Sequence, residues 1–287
     1  LAGFPADLVV VATASNGRPT LEPASPALFD HAIVYLPDLD QFFDPTARYL
    51  SLDSLPWQDQ GARAIIIDEK NPRVVDIPES VAKDNYINFD LEVVEGEPPT
   101  VAGKIRVGGQ FVRRIVSALE DQGNWSQNLE GWVSGVLPVV TGTTSSHVVH
   151  LGTGPYVEIE FVGVWVPSQG DRHALLRENP APARAVQESR RKTPMVFAHP
   201  YRYEYVFRFI GSHFDFPKDL RLVQRTEALQ VRVVTVETPV ERELTFEYSQ
   251  RTPRVPLEDY NSFRDLVLEI HKIGSSLEVI TLPGGDQ

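Results

Sequence analysis

The sequence predicts an α+β chain that is predominantly β. Three observations carry this. Short runs of β-branched and aromatic residues, alternating or continuously apolar, recur along the chain. Helical periodicity is confined to a few stretches. Pro, Gly, Asn and Asp separate the runs, as turns require. The expected units are residues 1–78, 79–194 and 195–287, the second carrying one or two helices and a linker, the third sandwich-like with a closing helix.

The elements follow in order. Leu1-Ala2-Gly3 reads as the last turn of a helix with its glycine stop, and Pro5 lies just beyond it. On that reading the chain is the C-terminal portion of something longer. "ADLVVVAT", "HAIVYL" and "RAIIID" are apolar strands, and the apolar period lapses between Pro72 and Asn85, where the first boundary is placed. "YINFDLEVVEG" and "TVAGKIRVGG" alternate with period two and read as a hairpin. Phe111, Val112, Ile115, Val116 and Leu119 then recur at helical spacing, and a second helix is expected over Asn124 to Leu137. "YVEIEFVGVWV" returns to alternation. From Pro167 to Pro194 the chain is rich in proline, alanine and charge, and reads as a connection. In "YRYEYVFRF", Tyr201, Tyr203, Tyr205, Phe207 and Phe209 share one face, with Arg202, Glu204 and Arg208 on the other. Two more strands, "LQVRVVTVET" and "ERELTFEYSQ", precede a helix with Phe263, Leu266, Val267 and Ile270 on one side and Gly274 as its stop.

Composition excludes several functions. The 287 residues carry a formal charge of −12, and Arg190-Arg191-Lys192 is the only basic cluster. A sequence-independent grip on a phosphate backbone needs a basic footprint, so no nucleic-acid partner is expected. No cysteine is present, which excludes disulfides, thiolate metal sites and a cysteine nucleophile within the chain. The longest uncharged run, 131–157, is broken by Pro138 and several glycines, and no membrane span is expected. His147 and His150, three apart on a strand, do not share a face, and no metal or other cofactor is expected. Trp57, Trp125, Trp132 and Trp165 read mainly as packing anchors.

The stretch "FDHAIVYLPDLDQFFDPTARY" bears the most chemistry. "PDLD" forms a four-residue turn between "HAIVYL" and "QFFDPT". In that hairpin position 31 falls opposite position 46. Asp44 is then the diagonal neighbour of His31 on the same face, about 7–8 Å away at the backbone. A carboxylate at that position fixes an imidazole's tautomer and stabilises its protonated form. Spacing alone leaves a structural reading open, because Asp-Pro opens many turns and a single strand histidine is commonly structural.

The segments "FDHAIVYL", "FFDPTARYLSLDSLP" and "QGARAIIID" resemble the second half of the bacterial transglutaminase-like fold, in the papain-like cysteine superfamily. His31-Ala32 and Asp44-Pro45-Thr46 match that family's histidine and aspartate elements. "LAGFPADLVVV" resembles the end of its cysteine-bearing helix and the strand after it. "RRKTPMVFAHPYRYEYVFRF" and "VPLEDYNSFRDLVLEI" are similar to the C-terminal segment of a branch in which the core is flanked by β-rich domains. The resemblance is strong over 1–68 and 190–272, and looser between.

The resemblance implies an incomplete transglutaminase-like core over 1–78, followed by two β-rich domains. His31 and Asp44 would be catalytic, acting on glutamine carboxamide or peptide bonds, and Trp57 would line the substrate cleft. The family's cysteine and its helix are missing from this sequence. An upstream segment or companion chain would supply the thiol, and the isolated chain is expected to be inactive. The expected partner is a protein or peptide substrate, and the expected location is the periplasm, the bacterial cell surface or the exterior. The alternative is a non-catalytic binding or scaffolding module with a degenerate core. A third reading is a lectin-like β protein using the Tyr201–Phe209 face.

Overall fold

The computed structural model describes residues 5–17, 25–50, 53–68, 71–120, 123–138, 140–152, 154–166, 171–215 and 220–282. The helix end expected at Leu1–Gly3 lies outside these. Among the described residues the chain is α+β and predominantly β. It builds two main sheets.

The first sheet contains β1 (Asp7–Ala12), β2 (His31–Leu36), β3 (Gln41–Phe43), β4 (Arg63–Ile67) and β5 (Arg73–Asp76), in the order β3-β2-β1-β4-β5. All its pairings are antiparallel. Val9, Val11, Ile33, Tyr35, Ala64 and Ile66 point to one face and pack with Leu55, Ala62 and Ile77. The opposite face is apolar as well. Leu8, Ile67 and Val74 are 51%, 45% and 52% exposed there. Continuous apolar runs such as "LVVVA" and "AIII" are the composition of strands covered on both faces.

The expected boundary at 78/79 falls between β5 and β6 (Tyr86–Val94), where the chain passes into the second sheet. β7 (Thr100–Gly108) follows, then α1 (Val112–Glu120) and α2 (Trp125–Val136), β8 (Val140–His150) and β9 (Tyr156–Trp165). Next come β10 (Arg172–Ala174), β11 (Met195–Val196), β12 (Tyr201–Ile210), β13 (Phe214–Asp215) and β14 (Arg221–Arg225). β15 (Leu229–Glu237), β16 (Glu241–Gln250), β17 (Arg254–Val255), α3 (Tyr260–Ser275) and β18 (Glu278–Thr281) complete the chain. Eight of these strands form one sheet in the order β14-β15-β16-β12-β6-β7-β9-β8, and β10, β18 and β13 form a small accessory sheet.

The boundary placed at 194/195 runs through the large sheet. β12 pairs along its length with β6, in parallel, so both segments share one sheet and one apolar core. The connection read into 167–194 is also more than a linker over its described part. Leu175, Leu176, Ala181, Ala183 and Val186 are buried in that core, and apart from β10 and a short 3-10 turn at Ala183–Val186 the proline-rich backbone passes over it irregularly.

The helices cover one face of the large sheet. Val112, Ile115, Val116 and Leu119 of α1 are buried, as are Leu129, Val133 and Val136 of α2 and Phe263, Leu266, Val267 and Ile270 of α3. Tyr205, Phe207 and Phe209 are buried beneath them, and Tyr201 and Tyr203 pack at the margin. The aromatic face is therefore core, which removes the lectin-like reading. The other face of the sheet is a lattice of ion pairs, Lys104 with Glu160, Arg106 with Glu158, Arg202 with Glu247, and Arg208 with Asp90 and Glu243. Gly274 lies inside the last turn of α3 rather than after it. It is a point of close approach, since a Cβ there would run into the Asn179 side-chain amide.

Candidate active site

The site is built on the covered face of the first sheet. β2 and β3 pair Val34 with Phe43 and Leu36 with Gln41. Continued past the last pair, that register puts position 31 opposite position 46 and Asp44 diagonal to His31. The turn is fixed by two backbone bonds, Leu39 N–H to Leu36 C=O and Asp40 N–H to Pro37 C=O, and by the Tyr35 hydroxyl donating to Asp40 at 2.7 Å. His31 itself lies across from Val11 of β1, a fully buried position, so its ring is turned inward.

His31 Nε2 lies 3.3 Å from Asp44 Oδ2. Asp44 is buried, and its other oxygen accepts from the Thr46 backbone N–H at 2.8 Å and the Thr46 hydroxyl at 2.7 Å. The Asp-Pro-Thr sequence thus closes on itself as an Asx turn, and holds the carboxylate with one oxygen left for the imidazole. A proton on Nε2 facing that oxygen leaves Nδ1 as the basic nitrogen on the other side of the ring. The His31 side chain is 27% exposed, so the imidazole can be approached from solvent. Asp30, its neighbour, faces away and accepts from the N–H and hydroxyl of Thr13, tying down the chain after β1.

A third side chain joins the pair that the sequence reading did not single out. Asp59, in the turn before β4, puts Oδ2 3.9 Å from His31 Nε2, and its side chain is only 1% exposed. Neither Asp59 oxygen has a hydrogen-bond partner. Burial pushes its carboxyl up to about 6 from the ordinary 3.8; the His31 charge opposes this, and the Asp44 and Asp30 carboxylates add to it. A carboxylate taken from water without a donor favours its neutral form. One donor atom each from His31, Asp44 and Asp59 lies within 4.8 Å of the others, so these three are also the residues that could hold a cation.

A polar seam from the second sheet positions the Asp59 turn. Gln110 Nε2 and Gln60 Nε2 both donate to the Leu55 carbonyl at 2.7 Å, and the Trp57 N–H donates to Gln110 Oε1 at 3.1 Å. Ser80 donates to Gln60 Oε1 through its backbone and its hydroxyl. Buried Asn85 accepts from the Gln110 N–H and donates to the Pro200 carbonyl, which connects the seam to β12. Gly109 turns the backbone at φ +62°, where a Cβ would strike the Asp84 carbonyl. Trp57 is half-buried and lines a cavity of about 380 Å³ with Arg48, Leu50, Gln110, Arg113 and Arg114, which none of His31, Asp44 and Asp59 lines.

No family model and no curated protein matches the chain. A crystal structure described as "a putative protease" from Parabacteroides distasonis resembles it with a TM-score of 0.50 at 11% identity, covering 98% of this chain. The chain spans 41% of that protein's length. At this identity the likeness is one of fold alone.

Proposed function

We propose that this chain carries the histidine and aspartate of a transglutaminase-like, papain-like cysteine site that acts on glutamine carboxamide or peptide bonds. The observation that carries the reading is the His31–Asp44 pair, with Asp44 buried, braced by Thr46 and turned to Nε2. The resemblance of the His-Ala and Asp-Pro-Thr segments to that family supports it, as does the fold likeness to a protein described as a protease. In this mechanism a thiol from an upstream segment or companion chain gives its proton to His31 Nδ1. The thiolate attacks the carbonyl, and His31 returns the proton to the leaving amine as the acyl-enzyme forms. Water or an amine then resolves the acyl-enzyme, with Asp44 holding the tautomer throughout. The apolar outer face of the first sheet, with Leu8, Ile67 and Val74 exposed, is where a further layer of the core would pack. By the same resemblance the protein works in the periplasm, at the bacterial cell surface or outside the cell.

The test combines residues 1–287 with the cysteine-bearing segment or companion chain that this reading requires. Ammonia release from a glutamine peptide, or peptide cleavage, is expected to be blocked by iodoacetamide and to fall at least about a thousandfold in His31→Ala. Asp44→Asn is expected to lower it less. Unchanged turnover in His31→Ala, or turnover by residues 1–287 alone, refutes the reading. The lack of any cysteine in these residues favours a second reading, a non-catalytic binding or scaffolding module. Failure of every cysteine-bearing segment or companion chain to give turnover with residues 1–287 would support it.

A further inference from the structure

We propose that His31, Asp44 and Asp59 form a binding site for a divalent first-row transition cation of the zinc class. Three separate segments converge to make it: the start of β2, the residue after β3 and the turn before β4. His31 Nε2 is 3.3 Å from Asp44 Oδ2 and 3.9 Å from Asp59 Oδ2. Bonds of about 2.0–2.2 Å to nitrogen and oxygen place tetrahedral donors about 3.3–3.6 Å apart. The His31–Asp44 edge already fits, the His31–Asp59 edge closes with a shift of a few tenths of an ångström, and all three donor atoms lie within 4.8 Å of one another.

The surroundings are those of a ligand set. Asp44 Oδ1 is occupied by both Thr46 donors, which leaves Oδ2 for the ion and fixes its direction, as outer-shell partners do at metal sites. Asp59 is the independent observation. Its carboxyl is buried and aimed at His31, and neither oxygen is hydrogen-bonded. Such a group calls for a positive partner. Two carboxylates and a neutral imidazole leave a fourth coordination position, reached past the partly exposed His31 ring. A mixed nitrogen and oxygen set of three selects zinc, cobalt or manganese over calcium and magnesium, which take larger all-oxygen sets or keep most of their water. The inference needs only residues of this chain, and the loaded site excludes the amide-bond reading: an ion on His31 Nε2 and Asp44 Oδ2 takes the place of the Nε2 proton through which Asp44 would hold the tautomer.

The experiment is calorimetric titration of the chelator-stripped chain with ZnCl2, alongside visible spectra with Co²⁺. One zinc per chain is expected, with d–d bands from a low-coordinate cobalt site. Asp59→Asn and His31→Gln should each weaken binding about tenfold or more. His147→Gln, an exposed histidine far along the sequence on β8, should leave it unchanged. Circular dichroism and thermal melts establish that each variant is folded, and His31→Gln changes a partly exposed side chain, so one variant survives if the buried one fails. Absence of zinc binding overturns the proposal. So does one-to-one binding that survives both site variants, which would put the ion elsewhere.

Discussion

Replacing Asp59 by asparagine tests the account of the site through stability alone. Asp59 has an ordinary carboxyl value of 3.8 that folding raises to about 6. The folded state therefore holds this proton more tightly than the unfolded chain does. The resulting stabilisation is fully present below pH 3.8 and is lost as pH rises through 6. Each pH unit between the two values is worth about 1.4 kcal/mol, so the wild type loses about 3 kcal/mol from this group across that window. Asparagine keeps the shape and cannot ionise. It leaves a buried amide at every pH, which offsets the curve without tilting it. Urea denaturation at closely spaced pH values from 4 to 8, with a chelator present, gives the difference between wild type and Asp59→Asn. That difference should move by about 2.5 kcal/mol in favour of the variant as pH rises from 4 to 8. Parallel curves would show that the Asp59 carboxyl is not held out of water beside Asp44, and would refute the reasoning.

Three further outcomes follow from the packing. Phe207→Ala empties a fully buried position under the helices and should cost about 3–5 kcal/mol in urea denaturation, with the large sheet unfolding as one unit. Gly109→Ala forces a Cβ into the Asp84 carbonyl at positive φ and should lower the melting temperature, by more than 1 kcal/mol in stability terms. Gln110→Ala removes the donor to Leu55 and the acceptor for Trp57. It should cost about 1–2 kcal/mol and speed amide exchange in residues 55–61 while β12 stays protected.

What the sequence showed and what it hid divide along one physical line. The β2–β3 register was readable because turn length and side-chain parity are local properties, and Val34 opposite Phe43 is the pairing that puts 31 across from 46. The helices were readable for the same reason: Ile115, Val116 and Leu119 are spaced for one buried face. Asp59 was hidden because an acid in "WQDQG" has the signature of any solvated turn. Long-range bonds carry that turn inward, among them those from Gln110 and Ser80, from the Ala14 N–H to the Gln58 carbonyl and from the Gly61 N–H to the Ile77 carbonyl. The union of residues 79–194 with 195–287 was hidden too, since the parallel pairing of β6 with β12 leaves no short-range mark. The proline- and charge-rich stretch between them looked like a connection. Its buried residues, Leu175, Leu176 and Val186, are too widely spaced to show a period.

That parallel pairing also imposes an order on synthesis. β6 leaves the ribosome with β7 on one side and nothing on the other, and its partner β12 begins only at Tyr201, opposite Asn85 and Tyr86. At ordinary elongation rates the open edge of β6 waits on the order of ten seconds. An unpaired edge in the middle of a future sheet is a template for pairing with another chain. Asp90 and Glu92 give that edge negative charge while it waits. When β12 arrives, its Arg208 takes up Asp90, so the side chain that guards the nascent edge becomes the one that joins the two halves of the sheet.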